Sequence, residues 1–289
     1  MKITNQNNLP EPLVKAVTRH PRERMRGRIS VTELIQPAQI RALSIVHEGE
    51  ISEDAGDRIW ALLGTLLHGV LERNAQGLKD TIAEEQLEME VLGWTVVGHY
   101  DLSEMILDGE CLTDWKLTSV WAVKDGVKPE WESQLNSYAE LIRRAGRTVN
   151  QIQIVAIGRD WSKSKAQYDS SYPQQQVKVM SVPLWTPEQA SAFLEDRVAL
   201  HQKAEHGHYD DCTAEERWAK PAKWAVMKSG QKKAVRLYDA PEPAERHAEA
   251  GTGLSVVARP GESIRCAAYC SVAPFCRQWK RMQDESSQS

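Results

Sequence analysis

The chain is short of several things, and each shortage excludes a class of protein. No apolar run is long. The richest, WALLGTLLHGVL at 60–71, spans twelve residues and contains His68. That is too short to cross a bilayer, so no membrane partner is expected. The opening MKITNQNNLPEPLVKAV lacks the apolar core of a secretory signal, and a soluble, cytoplasmic protein is the expectation. No internal repeat is found, and 41% hydrophobic with 26% charged residues is far from disordered, collagenous or coiled-coil composition. Phenylalanine is nearly absent: two Phe stand against ten Trp, a balance with no evident reason in the sequence itself.

Net charge is −4, which argues against a nucleic-acid coat protein, but the cations are unevenly placed. RHPRERMRGR at 19–28 holds five Arg and one Glu, and KPAKWAVMKSGQKKAVR at 220–236 holds six Lys or Arg and no acid. Such stretches suit phosphate contact at chosen places, or two solvated surface segments.

The periodicity alternates helices with strands. ISVTELIQPAQIRALSI predicts a short helix capped by Ser30 or Thr32 and broken near Pro37. EDAGDRIWALLGTLLHGVLERNA predicts a longer one, with Ile59, Leu62, Leu63, Leu66 and Val70 as its apolar stripe. Residues 86–117 read as strands, as do RTVNQIQIVAIGRDW and QQVKVMSVPLW, with a polar loop, SKSKAQYDSSYPQQ, between the last two. KPEWESQLNSYAELIRRAG is a helix with Pro129 in its first turn and Gly146 past its end. TPEQASAFLEDRVALHQKAEHG is another, opened by a capping box from Thr186 to Gln189 and closed by Gly207. The fold expected is α/β (α+β), a central mixed sheet flanked by helices. Boundaries fall at 1–28 for a basic N-terminal segment, 29–206 for the core and 207–289 for a Cys-bearing, Lys-rich appendage.

The stretch GHYDLSEMILDGECLTDWKLTS, 98–119, places charges where a hairpin should be apolar. Asp108-Gly109 predicts a two-residue type I′ loop. Counting outward from it sets Leu107 opposite Glu110, Asp101 opposite Lys116 and Asp114 opposite Ser103, with Asp101, Asp114 and Lys116 on one face. Two carboxylates held together repel unless a cation lies between them. Hard oxygen ligands beside a Lys suit Mg²⁺ or Mn²⁺ and phosphate oxygens; a plain Asp101–Lys116 ion pair is the alternative.

GHYD followed thirteen residues later by TDWK resembles the PD-(D/E)xK nuclease superfamily. Three further stretches, in family order, resemble its RecB-like exonuclease branch: SVTELIQPAQIRAL, GTLLHGVLE with His68, and WESQLNSYAELI with Gln134 and Tyr138. The resemblance covers roughly 29–160 and implies a restriction-endonuclease-like core. It implies that His68, Asp101 and Asp114, with the Trp115 carbonyl, hold Mg²⁺ or Mn²⁺. Lys116 then serves the attacking water, and Gln134 and Tyr138 border the active site and contact DNA.

Three of the five cysteines lie close together in CAAYCSVAPFC: Cys266, Cys270 and Cys276. They resemble the C-terminal triplet that helps hold an iron–sulfur cluster in AddB and CRISPR-adaptation nucleases. The chain departs from that pattern. TELIQPAQI holds no upstream Cys, and three residues rather than two separate the first pair. Cys212 could complete a set of four, for an iron–sulfur cluster or Zn²⁺; free thiols packed as small apolar residues are the alternative. Cys111 is expected in the core. The implied function is a metal-dependent DNA exonuclease of recombination, repair or CRISPR adaptation, with a protein partner from such a system, and of a kind also encoded by phages. The compact size and the lack of a Gly-Lys-Ser/Thr phosphate loop argue against a self-contained helicase–nuclease. The competing class is a catalytically silent DNA-binding or assembly module of the same fold.

Overall fold

A computed structural model describes residues 2–18 and 25–287. The chain forms two compact units. One takes the described residues of Met1–Ala38 together with Ser52–His208; the other takes Gln39–Ile51 with the described residues of Tyr209–Ser289. Residues 19–24, which carry three of the five arginines of the N-terminal run, lie outside the described residues.

The first unit begins with β1 (Lys2–Thr4), α1 (Glu11–Val17), β2 (Arg28–Ser30) and α2 (Val31–Leu34). The Ser30 hydroxyl accepts from Glu33 N, which starts α2, and Pro37 separates it from α3 (Ala38–Val46), where the chain passes to the second unit. After β3 (Ser52–Asp54) come α4 (Ile59–Ala75) and the long strands β4 (Thr81–Val91), β5 (Trp94–Ile106) and β6 (Gly109–Thr118). Then follow α5 (Pro129–Arg144), β7 (Val149–Gly158), α6 (Lys163–Tyr168), β8 (Val177–Ser181) and α7 (Pro187–Glu205). The capping box at Thr186 and Gln189 is formed, and Gly146 and Gly207 take positive φ behind their helices. The expected loop after β7 contains a short helix instead, because the Ser162 hydroxyl accepts from Lys165 N and starts α6.

The sheet is six-stranded and mixed. β5 pairs with β4 along one edge; its other edge pairs in parallel with β2 at Thr95–Val97, then antiparallel with β6 from Leu102. Parallel β7 and antiparallel β8 extend the sheet from β6. Val96, Leu112, Leu135, Ile142, Ile154 and Leu194 are among its buried core. Gly98 lets α5 close on the sheet: a Cβ there would meet Leu141 Cδ1 at 2.3 Å and Tyr138 Cδ1 at 3.0 Å.

α4 departs from the ordinary amphipathic arrangement. Leu63, Leu66 and Val70 of the expected stripe are exposed, none of its residues is fully buried, and half-buried His68 is turned toward β5. Ile59, Leu62, Leu67 and Leu71 are half-buried like His68, so polar contact with the sheet and partial apolar burial together set this helix's orientation.

The second unit holds α3, β9 (Ala219–Lys220), β10 (Lys223–Lys228), β11 (Ala234–Tyr238), α8 (Pro241–Glu249), β12 (Leu254–Arg259), β13 (Glu262–Ser263), α9 (Ile264–Ala268) and α10 (Arg277–Ser287). β10 is the central strand of an antiparallel three-stranded sheet, on which α8 packs. Leu43 and Ile51 form a small core with Val272 and Cys276. Among the described residues, no helix is long and apolar enough to cross a membrane.

Candidate functional site

The primed hairpin lies one turn earlier than the Asp108-Gly109 pair suggests. β4 and β5 are joined by Leu92 and Gly93, with φ of 49° and 77°, the left-handed pair that a type I′ loop needs. At the β5–β6 turn the loop residues are Leu107 and Asp108, neither with positive φ, and Ile106 pairs with Gly109. Gly109 is required as a strand residue. Its φ is 152°, and a Cβ would lie 2.8 Å from Thr148 O. Glu110 therefore faces Met105 rather than Leu107, a slip of two residues. Parity survives a two-residue slip, so the shared face of Asp101, Asp114 and Lys116 stands. The individual partners change: continuing the ladder sets Asp101 against Asp114, not Lys116.

The ladder itself stops just before that pair. β5 and β6 part beyond Leu102 and Thr113, and the Trp115 amide donates to Asp101 Oδ2 at 2.8 Å in place of a strand partner. The Asp101 carboxylate thus serves the backbone where the strands diverge. Its other oxygen lies 3.1 Å from His68 Nδ1, one ring away on α4. That bond raises the His68 pKa despite partial burial, with the charges of Asp101, Asp114 and Glu84 adding to it.

Glu84 is the residue that sequence reasoning missed. Ala83 pairs with Leu102 and Glu85 with Tyr100, so Glu84 falls opposite Asp101, with its backbone turned to φ 53°. Burial and the Asp101 charge raise its pKa. The Leu92-Gly93 turn was the available signal, because counting outward from it gives this pairing. His68, Glu84 and Asp101 each offer a donor atom within 4.8 Å of the others, among the described residues the one such group of three or more His, Cys, Asp or Glu.

Asp114 completes the carboxylates. It is 3% exposed, and burial raises its pKa to about 6, with Lys116 opposing and Asp101 adding. Its Oδ2 lies 2.7 Å from Lys116 Nζ but has no aligned hydrogen bond. Lys116 Nζ donates to Gln134 Oε1 at 2.8 Å, and Gln134 Nε2 donates to the buried Tyr138 hydroxyl at 3.0 Å. The side chains of His68, Asp101, Asp114, Lys116, Gln134 and Tyr138 are therefore joined in one constellation, with Trp115 contributing its backbone N–H. A hard divalent cation fits this donor set: His68, Glu84 and Asp101 bring donor atoms together, Asp114 adds a buried oxygen with no aligned hydrogen bond, and burial raises the pKa of both Glu84 and Asp114.

In the second unit Cys212, Cys266, Cys270 and Cys276 line one small cavity with Gln39 and Arg217. The Cys212 thiol donates to Gln39 Oε1 at 3.0 Å, and burial and the neighbouring Glu216 and thiols push its pKa to about 12. No three of these sulfurs gather within 4.8 Å. Cys111 is buried on β6 of the first unit.

No protein-family model and no curated protein matches the sequence. Among solved structures, the chain is similar to SSO0001, with 20% identity over 66% of this chain and 85% of that one, at a TM-score of 0.45. It is also similar to the alkaline exonuclease LHK-Exo from Laribacter hongkongensis, with 13% identity over 63% of this chain and 89% of that one, at a TM-score of 0.32. At these scores neither likeness carries a functional conclusion, which rests on the site.

Proposed function

We propose that the chain is a metal-dependent deoxyribonuclease, acting as an exonuclease on DNA phosphodiesters. The observation that supports this most is the joining of an acid-rich donor set, His68, Glu84, Asp101 and Asp114, to a lysine held in place. Bound there, Mg²⁺ or Mn²⁺ would neutralise charge on the non-bridging oxygens of the scissile phosphate. Lys116 has three N–H bonds. Gln134 takes one and Asp114 holds the ammonium from another side, which leaves a donor to orient the attacking water and steady the pentacoordinate transition state. Tyr138 fixes Gln134, and so fixes the lysine indirectly. Asp101 holds the Trp115 peptide and with it the direction of β6 between Asp114 and Lys116.

The basic residues at 220–236 and around Arg26 and Arg28 are proposed phosphate contacts, with affinity falling as salt rises. The four cysteines of the second unit are proposed to hold an iron–sulfur cluster or Zn²⁺, for which metal analysis and a visible absorption spectrum of the purified protein are the test. Recombination, repair or CRISPR adaptation, with a protein partner from such a system, is the setting proposed.

End-labelled single- and double-stranded DNA, incubated with Mn²⁺, Mg²⁺ or EDTA, tests the reading with wild type beside Lys116→Ala. Metal-dependent degradation lost in the variant is expected, and the fate of the label gives polarity. Binding in EDTA without cleavage under either metal would overturn the enzyme and leave a DNA-binding module.

A further inference from the structure

The tryptophans find a use beside this site. Trp60, Trp121, Trp131 and Trp161 lie on α4 and on the segments that follow β6 and β7. Three carry a cation over the ring. Arg159 Cζ is 4.1 Å from the Trp60 ring centre, Lys128 Nζ 4.9 Å from that of Trp131, and Lys124 Nζ 5.6 Å from that of Trp121. The segments are tied together. Arg159 N donates to Thr118 O at 2.9 Å, and Asp160 accepts from Ser119 Oγ at 2.9 Å and Val120 N at 2.7 Å. The Asp160 carboxylate is thereby engaged by these donors, and of the charges at 118–131 and 158–168, five are cations and three are acids.

This surface is continuous with the candidate site. Thr118 stands two residues beyond Lys116 on β6, and Trp60 stands eight residues before His68 on α4, about 12 Å along the axis. Trp131 packs against the core, but two of the rings do not: Trp60 is 53% and Trp121 43% exposed. A guanidinium stacked on one face of an indole fixes the ring and leaves the other face to take a base. An apolar protein partner would leave these cations desolvated and unpaired, at a cost. The occupant that suits flat rings alternating with cations is itself aromatic and anionic, a nucleic-acid strand. In a duplex the base faces are already stacked on one another, so only an unpaired strand can use such rings.

We propose that Trp60 with Arg159, and Trp121 with Lys124, form a stacking track for the unpaired bases of a DNA strand leading to Lys116. The strand entering the site is therefore single-stranded, or an unpaired end. This rests on the DNA reading of the site given above, and the test separates the two.

Fluorescence anisotropy in EDTA compares a labelled oligothymidylate, an abasic oligomer of the same length and a blunt duplex, with cleavage by wild type in Mn²⁺ run in parallel. Wild type is expected to bind the oligothymidylate at least about fivefold more tightly than the abasic oligomer, the low end for one stacked base. Trp60→Ala should erase that preference and Trp60→Phe retain part of it. If Trp60→Ala does not fold, Arg159→Gln carries the same comparison. Equal binding of base-bearing and abasic strands, or a duplex bound as tightly as the oligothymidylate, overturns the track. So does a dimer in sedimentation that Trp60→Ala dissociates while strand binding is unchanged, since the surface then seats a second copy. Cleavage by wild type without base preference overturns the track alone; neither binding nor cleavage of any DNA overturns both readings.

Discussion

Two clusters of carboxylates stand on the same three strands, almost residue beside residue. Glu84 and Glu85 are neighbours on β4, Tyr100 and Asp101 on β5, and Glu110 and Asp114 share β6. In one cluster Arg147 donates to both oxygens of Glu110, at 2.7 and 2.6 Å, and also to Glu85 and to the Tyr100 hydroxyl, while Ser103 donates to Glu110 as well. Burial pushes the Glu110 pKa up, yet Arg147 and Ser103 outweigh it and hold the carboxyl below its ordinary value. In the other cluster three carboxylates face one ammonium and an imidazole, and Asp114 and Glu84 are pushed up. Burial alone does not separate them, since Glu110 and Asp114 are equally hidden. Hydrogen bonding does: both oxygens of Glu110 take aligned donors from Arg147 or Ser103, whereas Asp114 Oδ2 has none and is open to a group from outside.

The sharpest test of the contrast is to open the closed cluster. Arg147→Met leaves Glu110 buried without its cation and should cost about 3–5 kcal/mol in urea unfolding. A loss under about 1 kcal/mol, the value of an exposed pair, would remove the distinction drawn here. Lys116→Ala acts on the other side of the comparison, lowering DNA cleavage by roughly 10²–10³-fold, as for loss of one transition-state donor. Its melting temperature should move far less than that of Arg147→Met; the reverse ranking would make Lys116 the structural residue.

Glu84→Gln keeps shape and removes charge. Calorimetric titration of Mn²⁺ should show roughly 10–100-fold weaker binding, the range for groups that tune a metal site, and unchanged affinity would remove Glu84 from the donor set. The smallest effect concerns pH. In the metal-free protein the folded-state pKa of Asp114, about 6, lies above its ordinary 3.8, so the folded state holds the proton more tightly. The contribution to stability is full below about pH 4 and is lost as pH rises through 6. The melting temperature of wild type should therefore fall relative to Asp114→Asn between pH 4 and 8, and Mn²⁺ at neutral pH should reverse the trend. A flat difference would show that Asp114 does not hold its proton.

Much of this was legible in the sequence, for reasons that are local. Ser30, Thr186 with Gln189, Gly146 and Gly207 punctuate helices through nearest-neighbour chemistry, and alternation along β5 and β6 fixes which side a residue takes. The constellation of His68, Asp101, Asp114, Lys116, Gln134 and Tyr138 is picked out by those rules together with a resemblance of motifs. What escaped depends on distant contacts. Gly109 belongs to the strand because Thr148 O crowds it, which moves the turn and exchanges the partner of Asp101. Glu84 reaches the site only because β4 folds back at Leu92-Gly93 and its backbone turns at that one residue. The apolar stripe of α4 predicts burial, but Leu63, Leu66 and Val70 are exposed and the side bearing His68 reaches Asp101. The pairing of residues 39–51 with the C-terminal stretch has no signature in either segment.

That last pairing sets a timetable for synthesis. Leu43 and Ile51 leave the ribosome early, but Val272, with which they form a core, is made 229 residues after Leu43. At roughly 5–20 residues per second, between about ten and fifty seconds pass before the partner exists. The whole of Ser52–His208 can fold in that interval, while α3 waits with its apolar side chains in water. The second unit is then the last to close, because α3 has no core to join until Val272 has been made.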